Sequence, residues 1–265
     1  MNIILNGPGR SGTTLLSKLI CYHKDLAWIS GWVNRYPHIL KLSCFNDLYR
    51  KELINIDFSK TSKMPKPSEA YGFWNHYIKR FDESYRLSET EIINTKNAIK
   101  KIVALQGKQH FITKITGDLR TNIFNDLFDD YTIIWIERDP RVVVSSYIKQ
   151  RWFYKNDPEA YDNLTMNEKI KFYSNYYLKN YRGSKDANVK VVFYEDMCQD
   201  PVIFFEDLLN YLGLEFTKWH KEKISNVEIN KVNWSFYKSR YNEEEISLLN
   251  AMLEEPLTEY NYNRD

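Results

Sequence analysis

The sequence is poor in cysteine. Cys21, Cys44 and Cys198 are the only three in 265 residues, an odd number with wide spacing and no CxxC pair. That pattern argues against a disulfide framework and a zinc site, and predicts a reducing, cytoplasmic setting. Charge of one sign is also missing: 37 Lys and Arg stand against 35 Asp and Glu, for a net charge of +2. Bulk electrostatics therefore offer no grip on nucleic acid or on an anionic membrane surface, and any anion site must arise from local clustering. No apolar run approaches the ~20 residues of a membrane span. The apolar stretch in MNIILNGPG is too short for a signal peptide. Neither nucleic-acid binding nor membrane insertion is expected. There is no internal repeat and no low-complexity tract. What the chain does have is 43% hydrophobic and 15% aromatic residues, enough for a large core. The length suits one large α/β domain over residues 1–265, with 28–86 as a candidate acceptor-side or lid region.

Elements alternate along the chain. Asn2–Asn6 is an apolar run ending at a Gly/Pro cluster and reads as a buried strand, followed by a helix over Thr13–Tyr22 with Leu15, Leu16, Leu19 and Ile20 on one face. A short strand is predicted over Leu26–Ser30, a helix over 36–54 and a loop over 57–72, where Pro65 and Pro67 lie. Ser88-Glu89-Thr90-Glu91 is a capping box opening a helix to Gln106. His110–Lys114 is a strand, Thr121–Phe128 a short helix, and Tyr131–Glu137 (YTIIWIE) the strongest strand signal, apolar without alternation as in a strand covered on both faces. A helix over Pro140–Lys149, another over 166–182, a strand over Val189–Tyr194, a helix over Pro201–Leu212 closed by Gly213, and a last helix over Glu243–Leu253 complete the pattern. Strands alternating with helices predict a three-layer α/β sandwich around a central, mostly parallel sheet.

Gly7-Pro8-Gly9-Arg10-Ser11-Gly12-Thr13-Thr14 lies between the first strand and the first helix. Glycines let the backbone N–H groups approach a ligand, and the helix N-terminus adds donors and positive dipole. Thr13 and Thr14 add hydroxyls and Arg10 a full charge, so the segment is an anion cradle. Its glycine spacing matches the Walker A pattern, but the phosphate-neutralising Lys is replaced by Thr13. The loop's only cation is Arg10, on the other side of Gly12. The competing interpretation is a glycine turn with no ligand.

GPGRSGTTLL resembles the 5′-phosphosulfate-binding loop of the sulfotransferases that use 3′-phosphoadenosine 5′-phosphosulfate (PAPS). The resemblance implies a P-loop-like fold, PAPS as sulfuryl donor, adenosine 3′,5′-bisphosphate (PAP) as product, and no metal. It implies that Arg10, Ser11, Gly12, Thr13 and Thr14 hold the phosphosulfate. The family holds the 3′-phosphate with an Arg at the end of a central strand and a Ser eight positions later, which here are Arg138 and Ser146. An Arg leaving the carboxyl edge of a strand points into the crevice where α/β sheets bind ligands, and its planar fork suits phosphate oxygens. The alternative for Arg138, Asp139 and Arg141 is a surface ion network. A third match is Phe193-Tyr194-Glu195-Asp196-Met197 with Asp200-Pro201 and Tyr211-Leu212-Gly213-Leu214. It implies Tyr194 as a contact to the adenine, while Glu195 and Asp196 read as structural.

Sulfuryl transfer builds charge on the oxygen bridging to the leaving bisphosphate, and a cation there stabilises the transition state. The resemblance makes Arg10 the candidate for this role, with Lys114 as a second catalytic residue reaching the sulfuryl group or acceptor. The alternative for Lys114 is an ordinary strand-end lysine. A general base is harder to place. Where some members carry a Glu after the second strand, this chain has Ser30-Gly31-Trp32-Val33-Asn34-Arg35, and where cytosolic members carry a His it has Thr116. Asp118, His38 and His76 are the substitutes on offer. Trp28, Trp32, Tyr36, Trp74, Tyr77, Phe81 and Tyr85 would stack on a sugar or aromatic acceptor, or pack a core and lid. The basic segment 231–240 would fold over the nucleotide or lie in solvent. The acceptor is read as a carbohydrate or small alcohol, contributing a hydroxyl or amine. Two other functions compete: a nucleotide kinase or ATPase with a degenerate Walker loop, and a non-catalytic nucleotide-binding module.

Overall fold

The computed structural model describes residues 1–51, 65–227, 229 and 237–262. Five strands, β1 (Asn2–Asn6), β2 (Leu26–Trp28), β3 (His110–Lys114), β4 (Thr132–Glu137) and β5 (Val189–Phe193), form one sheet in the order β2-β3-β1-β4-β5. Every pairing is parallel. Leu5 of β1 pairs with Lys114 of β3, and Asn6 with Trp135 of β4. The segments following β1, β3 and β4 therefore leave the same carboxyl edge side by side, where open α/β sheets bind ligands.

Both faces of the sheet are buried along its central strands, which is why β1 and β4 read as nearly continuous apolar runs. Ile3, Leu5, Ile134 and Ile136 pack with Leu16, Leu19, Phe205 and Leu208 on one face. Ile4, Ile133 and Trp135 pack with Trp74, Ile99 and Phe124 on the other. These are the three layers expected from the alternation of elements. A further cluster of Tyr147, Tyr173, Tyr177, Tyr181 and Leu249 joins helices Pro140–Ile148, Met166–Lys185 and Glu243–Met252.

Capping residues set several boundaries where the sequence predicts them. Ser88 and Glu91 form the capping box of helix Glu89–Gln106. The Asp139 side chain accepts from the Arg141 N–H, with Pro140 in the first turn of the following helix. Other boundaries differ. β2 stops at Trp28, because the Ser30 side chain accepts from the Val33 N–H and caps a helix over Gly31–Arg35. The helix expected over 36–54 is instead a 3-10 turn, Leu40–Phe45, and a short helix, Asn46–Arg50, with 52–54 outside the described residues. Pro37 lies just before it and cannot supply an N–H to extend the preceding helix. The predicted loop ends at Ala70, where helix Tyr71–Tyr77 begins, and 57–64 lie outside the described residues. The helix predicted over 166–182 runs on to Lys185, and Tyr194 opens helix Tyr194–Gln199 rather than closing β5.

Glu137, the last residue of β4, is fully buried. Trp135 Nε1 donates to its Oε1 at 2.6 Å and the Tyr177 hydroxyl to its Oε2 at 2.9 Å. Burial nevertheless pushes the carboxyl from 4.5 up to about 7, outweighing the two hydrogen bonds that favour the anion. The folded state therefore holds this proton more tightly than the unfolded state. The stability it confers is full below about pH 4.5 and is lost as pH rises through about 7. At 1.36 kcal/mol per pH unit the loss is roughly 3 kcal/mol. Relative to wild type, Glu137→Gln should gain about that much stability between pH 4.5 and pH 8, measured by urea unfolding at each pH. An unchanged difference between the two proteins would contradict it.

Candidate active site

The loop after β1 is held against β4 and closed on itself. A Cβ at Gly7 would lie 2.4 Å from the Ile136 carbonyl oxygen, so only glycine fits that contact. The Ser11 N–H and hydroxyl both donate to the Pro8 carbonyl, at 3.2 and 2.7 Å. Gly12 has φ 99, and a Cβ there would lie 2.2 Å from Cδ2 of Tyr194. Its missing side chain is what lets the Tyr194 ring lie against the loop. Helix Thr13–Ile20 starts immediately afterwards with no side-chain cap, so its first-turn N–H groups and positive dipole end face this edge of the sheet.

The end of β4 meets the same loop. Arg138 Nη1 donates to the Arg10 carbonyl at 3.2 Å, and its guanidinium sits 4.5 Å from the centroid of the Tyr194 ring. Arg138 Nε is buried and has no hydrogen-bond partner. An orphaned buried donor on a cation is costly unless a ligand oxygen meets it. Arg10 adopts φ 70, and its Nε donates to Ser146 Oγ at 2.9 Å. Arg10, Arg138, Ser146 and Tyr194 thus converge from positions up to 184 residues apart (194 − 10). Arg141 points elsewhere: it forms a buried pair with Asp139 at 2.8 Å. Glu195 accepts from the Asp139 N–H at 2.9 Å and from the Tyr262 hydroxyl at 3.0 Å, a structural part as read from the sequence.

On the other side of the loop, Lys114 at the end of β3 is only 6% exposed. Its Nζ donates to Thr14 Oγ1 at 3.0 Å and pairs with Glu69 Oε1 at 3.1 Å. It is thus no idle surface lysine. A cleft of about 430 Å³ opens here, lined by Arg10, Thr13, Thr14, Glu69, Thr116, Asp118 and Arg120, with Tyr71, Tyr147, Trp152 and Tyr176 as aromatic walls.

Of the three candidate bases, only Asp118 lines this cleft, and Lys179 Nζ donates to it at 2.8 Å. His38 and His76 are exposed and absent from the lining. Sequence reasoning missed Glu69. No short-range signal marks it: its segment is brought to the site by the isolated bridge between Ser30 and Pro67 and by the Ser68 N–H to the Ile29 carbonyl at 3.2 Å. Of the described aromatics between 28 and 86, Trp28, Trp74 and Phe81 are buried in the core, and Tyr71 is the one that lines the cleft. Within the basic segment, 231–236 lie outside the described residues, while the Arg141 guanidinium sits over the buried Tyr237 ring at 4.8 Å.

Residues 2–218 match the family model described as "Sulfotransferase family". The chain belongs to the sulfotransferase family. Solved sulfotransferases share its fold. Sulfotransferase STF9 from Mycobacterium avium superposes with a TM-score of 0.60 at 14% identity, covering 99% of this chain and 77% of that one. The sulfotransferase domain from the curacin biosynthetic pathway gives 0.50 at 13% identity over 98% and 97%. Mouse sulfotransferase SULT7A1, complexed with PAP, gives 0.50 at 13% identity over 97% and 84%. No protein of curated function matches the sequence. Among the described residues of this sulfotransferase, no group of three or more His, Cys, Asp or Glu is placed to hold a metal, and no helix is long and apolar enough to cross a membrane.

Proposed function

We propose that this sulfotransferase takes its sulfuryl group from PAPS and passes it in line to a hydroxyl of a carbohydrate or small alcohol. The observation that carries the donor is the pairing of two anion sites on adjacent strands. The uncapped loop helix follows β1, and Arg138, with its orphaned Nε, follows β4. Ser11, Gly12, Thr13 and Thr14 would hold the 5′-phosphosulfate. Arg138 and Ser146 would hold the 3′-phosphate, and Tyr194, pinned between Gly12 and Arg138, would border the adenine. Arg10 would neutralise the bridging oxygen, and Lys114 would reach the sulfuryl group past Thr14. The cleft supports the acceptor class: aromatic rings of Tyr71, Tyr147, Trp152 and Tyr176 with the polar Asp118 and Arg120 suit a sugar ring or a small alcohol. It draws Glu69 and Tyr71 from the 28–86 region, which supports reading that region as the acceptor side of one 1–265 domain. An ATPase reading is disfavoured because Thr13 stands at the Walker lysine position.

Calorimetric titration tests the donor. PAP should bind without magnesium, at least tenfold more tightly than ADP or ATP with or without it. A preference for ATP with magnesium would restore the kinase reading. A protein that binds PAP and transfers nothing to a broad panel of sugars and alcohols would be a binding module.

A further inference from the structure

We infer that Glu69 is the catalytic base, taking the proton from the acceptor hydroxyl; this rests on the sulfuryl-transfer reading above. In the step, the acceptor oxygen bonds to sulfur as the bond from sulfur to the bridging phosphate oxygen breaks. The electron pair leaves with PAP, and the acceptor proton passes to a Glu69 carboxylate oxygen. Among the described residues lining the cleft, only Glu69 and Asp118 are carboxylates. Asp118 is tied to Lys179 on the rim, at 2.8 Å. Glu69 is tied inward. Its Oε1 lies 3.1 Å from Lys114 Nζ, which in turn lies 3.0 Å from Thr14 Oγ1 in the first turn of the loop helix. No described residue hydrogen-bonds its other oxygen, and its side chain is 34% exposed, so an acceptor can reach it.

Its placement is built rather than incidental. The Gly31 N–H donates to the Lys66 carbonyl at 3.1 Å, the Ser68 N–H to Ile29 at 3.2 Å, and Ser30 bridges Pro67, lashing the segment to the end of β2. Ala70, the next residue, is 1% exposed and sits at φ 59, a left-handed conformation uncommon outside glycine. Such outliers persist where surrounding structure holds them, as it does here between the lashed segment and helix Tyr71–Tyr77. A carboxylate on the acceptor side of a phosphosulfate loop, held by a lysine that also touches that loop, has the reach a general base needs.

The competing role for Glu69 is that of a counter-ion to Lys114, and the two roles give opposite results on removing its charge. The probe is PAPS itself, with water as acceptor, following PAP release, alongside calorimetric binding of PAP. For Glu69→Gln we expect PAP affinity within about threefold of wild type and PAP release slowed about a hundredfold. Unchanged or faster release with tighter PAP binding would make Glu69 a counter-ion and overturn the inference. So would a slowed variant whose PAP affinity falls by more than about threefold, or a hundredfold slowing in Asp118→Asn that Glu69→Gln does not show. Wild-type protein that binds no PAP would instead bring down the donor reading itself.

Discussion

Replacing Arg10 with alanine is expected to slow sulfuryl transfer about a thousandfold, measured as PAP formed from PAPS in a single turnover. Arg10 is the only cation in the loop between β1 and its helix. Negative charge gathers on the bridging oxygen only as the bond to sulfur breaks, so a fixed cation there acts on the transition state more than on bound donor. Losing one preorganised donor of this kind costs about 10²–10³ in rate, and here a full charge goes with it. Alanine tolerates φ 70 no worse than arginine, so the change removes the guanidinium without adding backbone strain. Arg10→Lys should recover part of the rate while losing the bond to Ser146. A drop below tenfold would move the catalytic charge to Lys114.

The second large effect belongs to Arg138. Arg138→Ala should weaken PAP binding roughly 300-fold, about 3.4 kcal/mol, within the range for truncating one partner of a hydrogen-bonded charge pair. The loss should be smaller for adenosine 5′-phosphosulfate, which lacks the 3′-phosphate, and calorimetry with both ligands reads the difference. Equal losses would show that Arg138 only braces the loop through the Arg10 carbonyl and Tyr194, contacts it makes without ligand.

The parts legible in the sequence are those set by neighbouring residues. The glycine string after a short apolar run marks the loop, and YTIIWIE marks a strand covered on both faces. Eight residues from Arg138 to Ser146 bring both to the Arg10 side chain and backbone. Glu69 was hidden because its partner in the cleft is Lys114, 45 residues further on (114 − 69), and its segment is placed by a bridge between two irregular segments. No periodicity announces such a contact. The aromatic walls were missed for a related reason. Tyr147 and Tyr176 reach the cleft through packing of helices Pro140–Ile148 and Met166–Lys185, and Trp152, in the 3-10 turn Trp152–Tyr154, lies against the Tyr147 ring. Of the two readings open for the aromatics at 28–86, stacking on an acceptor or packing a core and lid, Trp28, Trp74 and Phe81 follow the second.

The strand order has a consequence for how the molecule is made. β1 is synthesised first yet lies in the middle of the sheet, between β3 and β4. A ribosome must therefore deliver about half the chain, through Glu137, before Asn2–Asn6 acquires both neighbours. Until then an apolar strand keeps its hydrogen-bonding edges open, the kind of surface that nascent chains hide with chaperones. The long loop closures of such a parallel sheet also make assembly slow. A product truncated before Thr132 would carry the glycine loop without the strand that braces it, so nucleotide recognition should emerge in one step late in synthesis rather than accrue half by half.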